Sequence, residues 1–110
     1  MTMTELNKKT CVPCQGGVPP MSGDAISKLM PEIDAAWSVV DQHHLVRTWG
    51  FPDFITALEF LNSAGAICEL EGHHADFEIG WGRVVAQIWT HKIDGLTESD
   101  FILAAKLDQL

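Results

Sequence analysis

The sequence predicts an α+β fold: a four-stranded antiparallel sheet with three helices packed on one face, in the order α-β-β-α-β-β-α. Three observations carry this. Two stretches, Trp37–Phe51 and Asp76–Thr90, are rich in Val, Ile, Trp and Phe, and each is broken by a short polar or glycine turn. Between them, residues 54–72 place apolar side chains at the three-four spacing of one buried helical face. A helical pattern with start signals also opens and closes the domain.

Taken in order, residues 1–20 end in CQGGVPP and read as a flexible, irregular N-terminal arm carrying the motif CVPC; residues 21–110 form a single domain. A short first helix runs through Ile26, Leu29 and Met30, capped by Ser22 or Asp24, and Pro31 closes it or starts a further turn. WSVV and LVRTWGF are the first two strands, and DQHH between them places His43 and His44 in a solvated turn. Asp53 is a suitable N-cap for the long helix and Gly72 a suitable residue just past its end. Two strands follow, Asp76–Trp81 and Arg83–Thr90, and then the polar turn HKIDG. Thr97-Glu98-Ser99-Asp100 resembles a capping box, with Asp in place of Glu, and starts the last helix.

A tight turn at Trp81-Gly82 fixes a register in which paired positions sum to 163. Ile79 then faces Val84, Phe77 faces Ala86 and Ala75 faces Ile88, all on one apolar face, while Glu78–Val85 and Asp76–Gln87 occupy the other. The same register brings His91 beside Gly72 and His73. Three of the five histidines, His73, His74 and His91, therefore gather at one end of the sheet. Imidazoles titrate near neutrality, so such a cluster suits a reaction needing both an acid and a base. Glu69 lies one helical turn before His73, where its carboxylate can orient a ring. Asp100 reads first as a helix cap.

The composition excludes several functions. Fifteen acidic against seven basic residues give a formal charge of −8, opposite to what phosphate backbones or anionic membranes attract. No apolar run spans a bilayer, and MTMTELNKKT lacks an apolar signal core, so a cytoplasmic protein is expected. Three cysteines, Cys11, Cys14 and Cys68, speak against a disulfide framework. A lone C-x-x-C is a weak redox or zinc signal, and an adjacent His pair usually points its rings apart, so no metal is expected. A core this small makes homo-oligomerisation reasonable.

The series Glu69, His73, His74, Trp81, His91 and Asp100 resembles the motif of the pterin-4a-carbinolamine dehydratase family. The arm CVPCQGGVPPMS and the tail GLTESDFILAAKLDQL are similar to its bacterial members, and the resemblance covers nearly the whole chain. It implies the α+β fold above, a homodimer or homotetramer, and a pterin as small-molecule substrate. It also implies dehydration of 4a-hydroxytetrahydropterin to quinonoid dihydropterin without metal or organic cofactor, recycling the cofactor of aromatic amino acid hydroxylases. By this likeness His73 and His91 are the acid and base, His74 binds and orients the pterin, and Glu69, Trp37 and Asp100 line the substrate site. Some animal members also stabilise a dimeric transcription factor, so an interaction module is the alternative. The family usually has Pro after the His pair, where this chain has Ala75, which relaxes the restraint on His74.

Overall fold

The structure, a computed structural model, describes residues 6–12 and 18–110. Cys14 lies outside them, so the pairing of the CVPC thiols does too. The helices are α1 (Gly23–Leu29), α2 (Phe54–Glu71) and α3 (Glu98–Leu107), and the strands are β1 (Ser38–Val40), β2 (His44–Gly50), β3 (Asp76–Gly80) and β4 (Arg83–Ile88). The order is the expected α-β-β-α-β-β-α. Of the two candidate caps for α1, Ser22 is the cap: its Oγ accepts from the Ala25 N–H at 3.2 Å. Pro31 sits inside a further 3-10 turn, Met30–Glu32. Asp53 caps α2 by accepting from Thr56 N–H at 2.9 Å. The Thr56 hydroxyl and N–H hold the Asp53 carboxyl below its ordinary value.

All strand neighbours are antiparallel, in the order β1-β2-β4-β3. The β3–β4 hairpin has the expected register, Asp76 opposite Gln87 through Gly80 opposite Arg83. Val84, Ala86 and Ile88 point into the core, and Phe77 packs against it. β4 stops at Ile88, two residues earlier than expected, because the chain bends there into a loop closed by a Thr90–Gly95 bridge. The central pairing, β2 with β4, joins the two hairpins across α2 and places Leu45 opposite Ile88. Helix α2 packs on β3, β4 and α3. Leu45, Ala64, Cys68, Phe101, Leu103 and Leu107 close the core between sheet and helices. Among the described residues, no helix is long and apolar enough to cross a membrane.

The segment read as an irregular arm adheres to the domain over residues 6–12. Leu6 is 1% exposed within the core cluster, and the turn it begins packs on α3. Burying such a side chain stabilises by about 1.5–3 kcal/mol. Cys11 N–H donates to Glu71 Oε1 at 2.9 Å, and Val12 N–H to Ser99 Oγ at 3.1 Å. The Cys11 thiol donates to the Ser99 carbonyl at 3.4 Å, and burial, reinforced by Glu71, pushes it up to about 12. That is the opposite of an activated redox thiol, which needs a depressed pKa.

The clip has a pH signature. The Cys11 N–H, and secondarily Lys106, hold the Glu71 carboxyl below its ordinary 4.5. A carboxyl lowered in the folded state contributes stability that is present above the unfolded value and lost as pH falls through the folded one. Urea midpoints should therefore fall as pH drops below 4.5, and the fall should be shallower in Glu71→Gln. Parallel acid limbs for the two proteins would remove this role.

Candidate active site

The site begins at the end of α2. Gly72 takes a left-handed conformation (φ 64°, ψ 26°). There the Gly72 N–H bonds the carbonyls of Cys68 and Glu69, and the His73 N–H returns to Cys68 O at 3.2 Å. This closes the helix as a Schellman turn and ejects His73 and His74 from its axis. A side chain at 72 would strain that backbone. Ala75 continues towards β3; burial raises the Cys68 thiol above its ordinary value, and the Ala75 N–H beside it works against that rise. Proline has no such donor, so this departure from the usual family residue has a local structural counterpart.

The hairpin then does what its register requires. His91 opens the 3-10 turn His91–Ile93 just after β4 and comes to the same place as His73 and His74. A cleft of about 300 Å³ is lined by Val12, Gly72, His73, His74, Trp89, Thr90, His91 and Lys92. This is within the size range of small-molecule sites.

The three imidazoles are held differently. His73 Nε2 lies 2.5 Å from Asp100 Oδ1, and Asp100 is fully buried. The other carboxylate oxygen, Oδ2, accepts from Thr97 N–H at 2.8 Å and from the Thr90 hydroxyl at 2.9 Å. Asp100 is also the N3 residue of the α3 capping box. Capping of α3 and contact with His73 therefore coincide in one side chain. Oδ2 is already occupied by the Thr97 and Thr90 donors; in the tautomer with its hydrogen on Nε2, His73 donates to Oδ1 and keeps Nδ1 as an acceptor. His74 Nε2 bonds Glu69, and both side chains are largely exposed. Among the described residues His91 has no close polar partner of this kind: its Nε2 is 3.7 Å from Asp76 Oδ2, and its ring stands edge-on to Trp89 with centroids 4.3 Å apart.

Trp37 is elsewhere. It is 3% exposed, donates from Nε1 to Asp108 Oδ1 at 2.7 Å, and packs edge-on against Trp49. Asp108 also pairs with Arg47 at 2.5 Å. This buried indole, committed to Asp108, is not among the residues that line the histidine cleft, so the structure sets Trp37 apart from the histidines with which the sequence grouped it. The expectation for His43 and His44 is corrected. Rather than standing in solvent, both are half-buried and their rings pack on Trp89. Val12, Trp89 and Lys92 line the cleft without having been singled out in the sequence. Among the described residues, no group of three or more His, Cys, Asp or Glu is placed to hold a metal ion.

Among solved structures, the fold matches one described as a transcriptional coactivator/pterin dehydratase from Brucella melitensis. The TM-score is 0.76 at 27% identity, covering 82% of this chain and 96% of that one. The fold thus places the chain in a class, the small α+β proteins of the pterin dehydratase type. Residues 19–110 match the family described as pterin 4 alpha carbinolamine dehydratase. A protein of Rickettsia bellii (strain OSU 85-389), provisionally named a pterin-4-alpha-carbinolamine dehydratase, is 52% identical over 111 residues, covering 100% of this chain and 98% of its relative. One from Rubrobacter xylanophilus with the same provisional name is 51% identical over 108 residues, covering 98% of this chain and 100% of that one. The chain belongs to the pterin-4a-carbinolamine dehydratase family.

Proposed function

We propose that the cleft dehydrates 4a-hydroxytetrahydropterin by histidine acid/base catalysis. The C4a–O bond breaks as His91 gives its proton to the departing hydroxyl, which leaves as water. The N5 proton passes to His73 Nδ1, and the N5–H electrons form the C4a=N5 bond of quinonoid dihydropterin. Proton return through solvent restores both rings. His73 suits the base because Asp100 favours a hydrogen on Nε2. His91 suits the acid because it is exposed enough to exchange protons with water and, among the described residues, has no close hydrogen-bond partner fixing its tautomer. His74, steadied by Glu69, binds and orients the pterin. The single observation carrying this reading is the convergence of three imidazoles on one cleft with Asp100 behind His73.

No metal or organic cofactor is required in this scheme. The reading includes a cytoplasmic homodimer or homotetramer that recycles the cofactor of aromatic amino acid hydroxylases. Exposed Phe54, Ile55 and Leu70 on α2 are apolar surface that a second copy would cover.

Absorbance of freshly generated 4a-hydroxytetrahydropterin tests the scheme. Wild type should accelerate its loss, with or without a chelator. His91→Ala should be slower by about 10²-fold or more, the usual contribution of a positioned general acid. A folded His91→Ala protein with full activity would remove the acid assignment. No acceleration by folded wild type would overturn the dehydratase reading for this chain.

A further inference from the structure

Trp89 is the large aromatic side chain on the histidine cleft. It follows β4 directly and is half-buried, so part of its ring remains available. The ring is unusually well braced. Its centroid lies 5.3 Å from that of His43 and 5.7 Å from that of His44. The two histidines face each other through Nδ1 atoms 3.0 Å apart, and His43 Nε2 bonds Asp94 Oδ1 at 2.6 Å. Asp94 belongs to the same Thr90–Gly95 loop as His91. The β1–β2 turn is thereby tied to the loop carrying a site histidine, with Trp89 between them.

We propose that Trp89 is the stacking platform for the pterin bicycle, a substrate-binding residue additional to the histidines. The inference rests on the pterin reading above. A pterin is a flat, polar heteroaromatic, and such rings stack well on indole while their edges take hydrogen bonds from neighbours. The brace matters because an indole already fixed in place loses little freedom when the substrate arrives. His91, in edge contact with the same indole, then lies beside the bound ring and within reach of its reacting edge. The pyrimidine half of the substrate is planar before and after water leaves. The platform therefore holds substrate and product alike, and its contribution belongs in KM rather than kcat.

The test compares Trp89→Leu and Trp89→Phe with wild type in the dehydration assay, alongside calorimetric titration with biopterin, an oxidised and unreactive pterin. Trp89→Leu should raise KM and the biopterin Kd about tenfold, equivalent to about 1.4 kcal/mol, with kcat within about threefold. Trp89→Phe, which keeps a stacking face, should recover most of both. Circular dichroism checks that each variant folds. A fall in kcat with KM and Kd unchanged would mean that Trp89 only props His91, and would overturn the proposal. Unchanged biopterin affinity in folded Trp89→Leu would overturn it while leaving the dehydratase reading intact. Failure of wild type both to bind biopterin and to dehydrate the carbinolamine would overturn both.

Discussion

His73→Ala should slow dehydration by about 10²–10⁴-fold, the range a positioned general base supplies. His73 is the cleft imidazole whose tautomer the fold biases. The fully buried Asp100 carboxylate lies against Nε2, which favours the tautomer with the hydrogen there and leaves Nδ1 as the acceptor. Truncation also leaves Asp100 Oδ1 without its partner. An orphaned buried acceptor costs about 1–3 kcal/mol, so His73→Ala should unfold at lower urea while still folding in buffer. His73→Gln separates the two effects. Glutamine can still donate an amide hydrogen to Asp100, so stability should return towards wild type. It has no basic nitrogen, so the rate should stay low. Measuring kcat and urea midpoint for both variants checks this. A folded His73→Gln enzyme with wild-type kcat would end the assignment of His73 as base.

The gathering of His73, His74 and His91 was legible because it depends on local information. One hairpin, one two-residue turn and the alternation of Phe77, Ile79, Val84 and Ala86 specify the register, and the register specifies the neighbours. The contacts of His43 and His44 depend on the β2–β4 pairing instead. Extending that ladder past Leu45–Ile88 sets His44 against Trp89, across a separation that includes all of α2 and β3. Nothing in the local pattern around DQHH encodes a partner on the far side of a helix. The two polar-looking histidines therefore read as solvated, and Trp89 read as one more strand aromatic.

The surroundings of Trp37 and of residues 6–12 were hidden from the sequence for related reasons. A lone tryptophan at a strand start has no periodicity to say which way it faces. Its burial is decided by Asp108 at the far end of α3, which takes its N–H. Leu6 and Cys11 lie in a stretch without helical or strand alternation, so sequence alone gave them no packing surface. The groove that receives them involves Glu71, Ser99 and Lys106, drawn from two helices. Val12 reaches the cleft by the same route. Asp100 was read from the sequence as a cap, and so it is. Its second oxygen is committed by the fold, not by the capping motif, because His73 arrives from the end of a different helix.

That double commitment makes Asp100→Asn the most informative single change. The side chains have the same shape, but asparagine offers one acceptor and one NH₂ donor where aspartate offers two acceptors. The nearest groups facing it are Thr97 N–H, the Thr90 hydroxyl and His73 Nε2, with the Thr97 hydroxyl at 3.5 Å. The backbone N–H cannot reverse its polarity, so the amide oxygen should turn to Thr97 and preserve the cap of α3. The NH₂ then confronts His73 Nε2. Imidazole can resolve that clash by moving its hydrogen to Nδ1, which removes the lone pair the base needs. A wrong histidine tautomer with geometry intact is known to cost an acid/base enzyme heavily, up to about 10⁴-fold in a serine protease. Asp100→Asn should accordingly lower kcat by about 10²-fold or more. It should cost only about 1–3 kcal/mol of stability, since charge-assisted bonds become neutral ones. Asp100→Ala loses the cap and these partners together, and should cost about 3–5 kcal/mol, as removal of one member of a buried pair does. Nitrogen-15 spectra of the imidazoles would show the tautomer directly. Asp100→Asn with wild-type kcat and His73 still protonated at Nε2 would reduce Asp100 to a helix cap. A folded Asn variant with the hydrogen moved to Nδ1 and the rate gone would tie the chemistry of the cleft to the residue that starts the last helix.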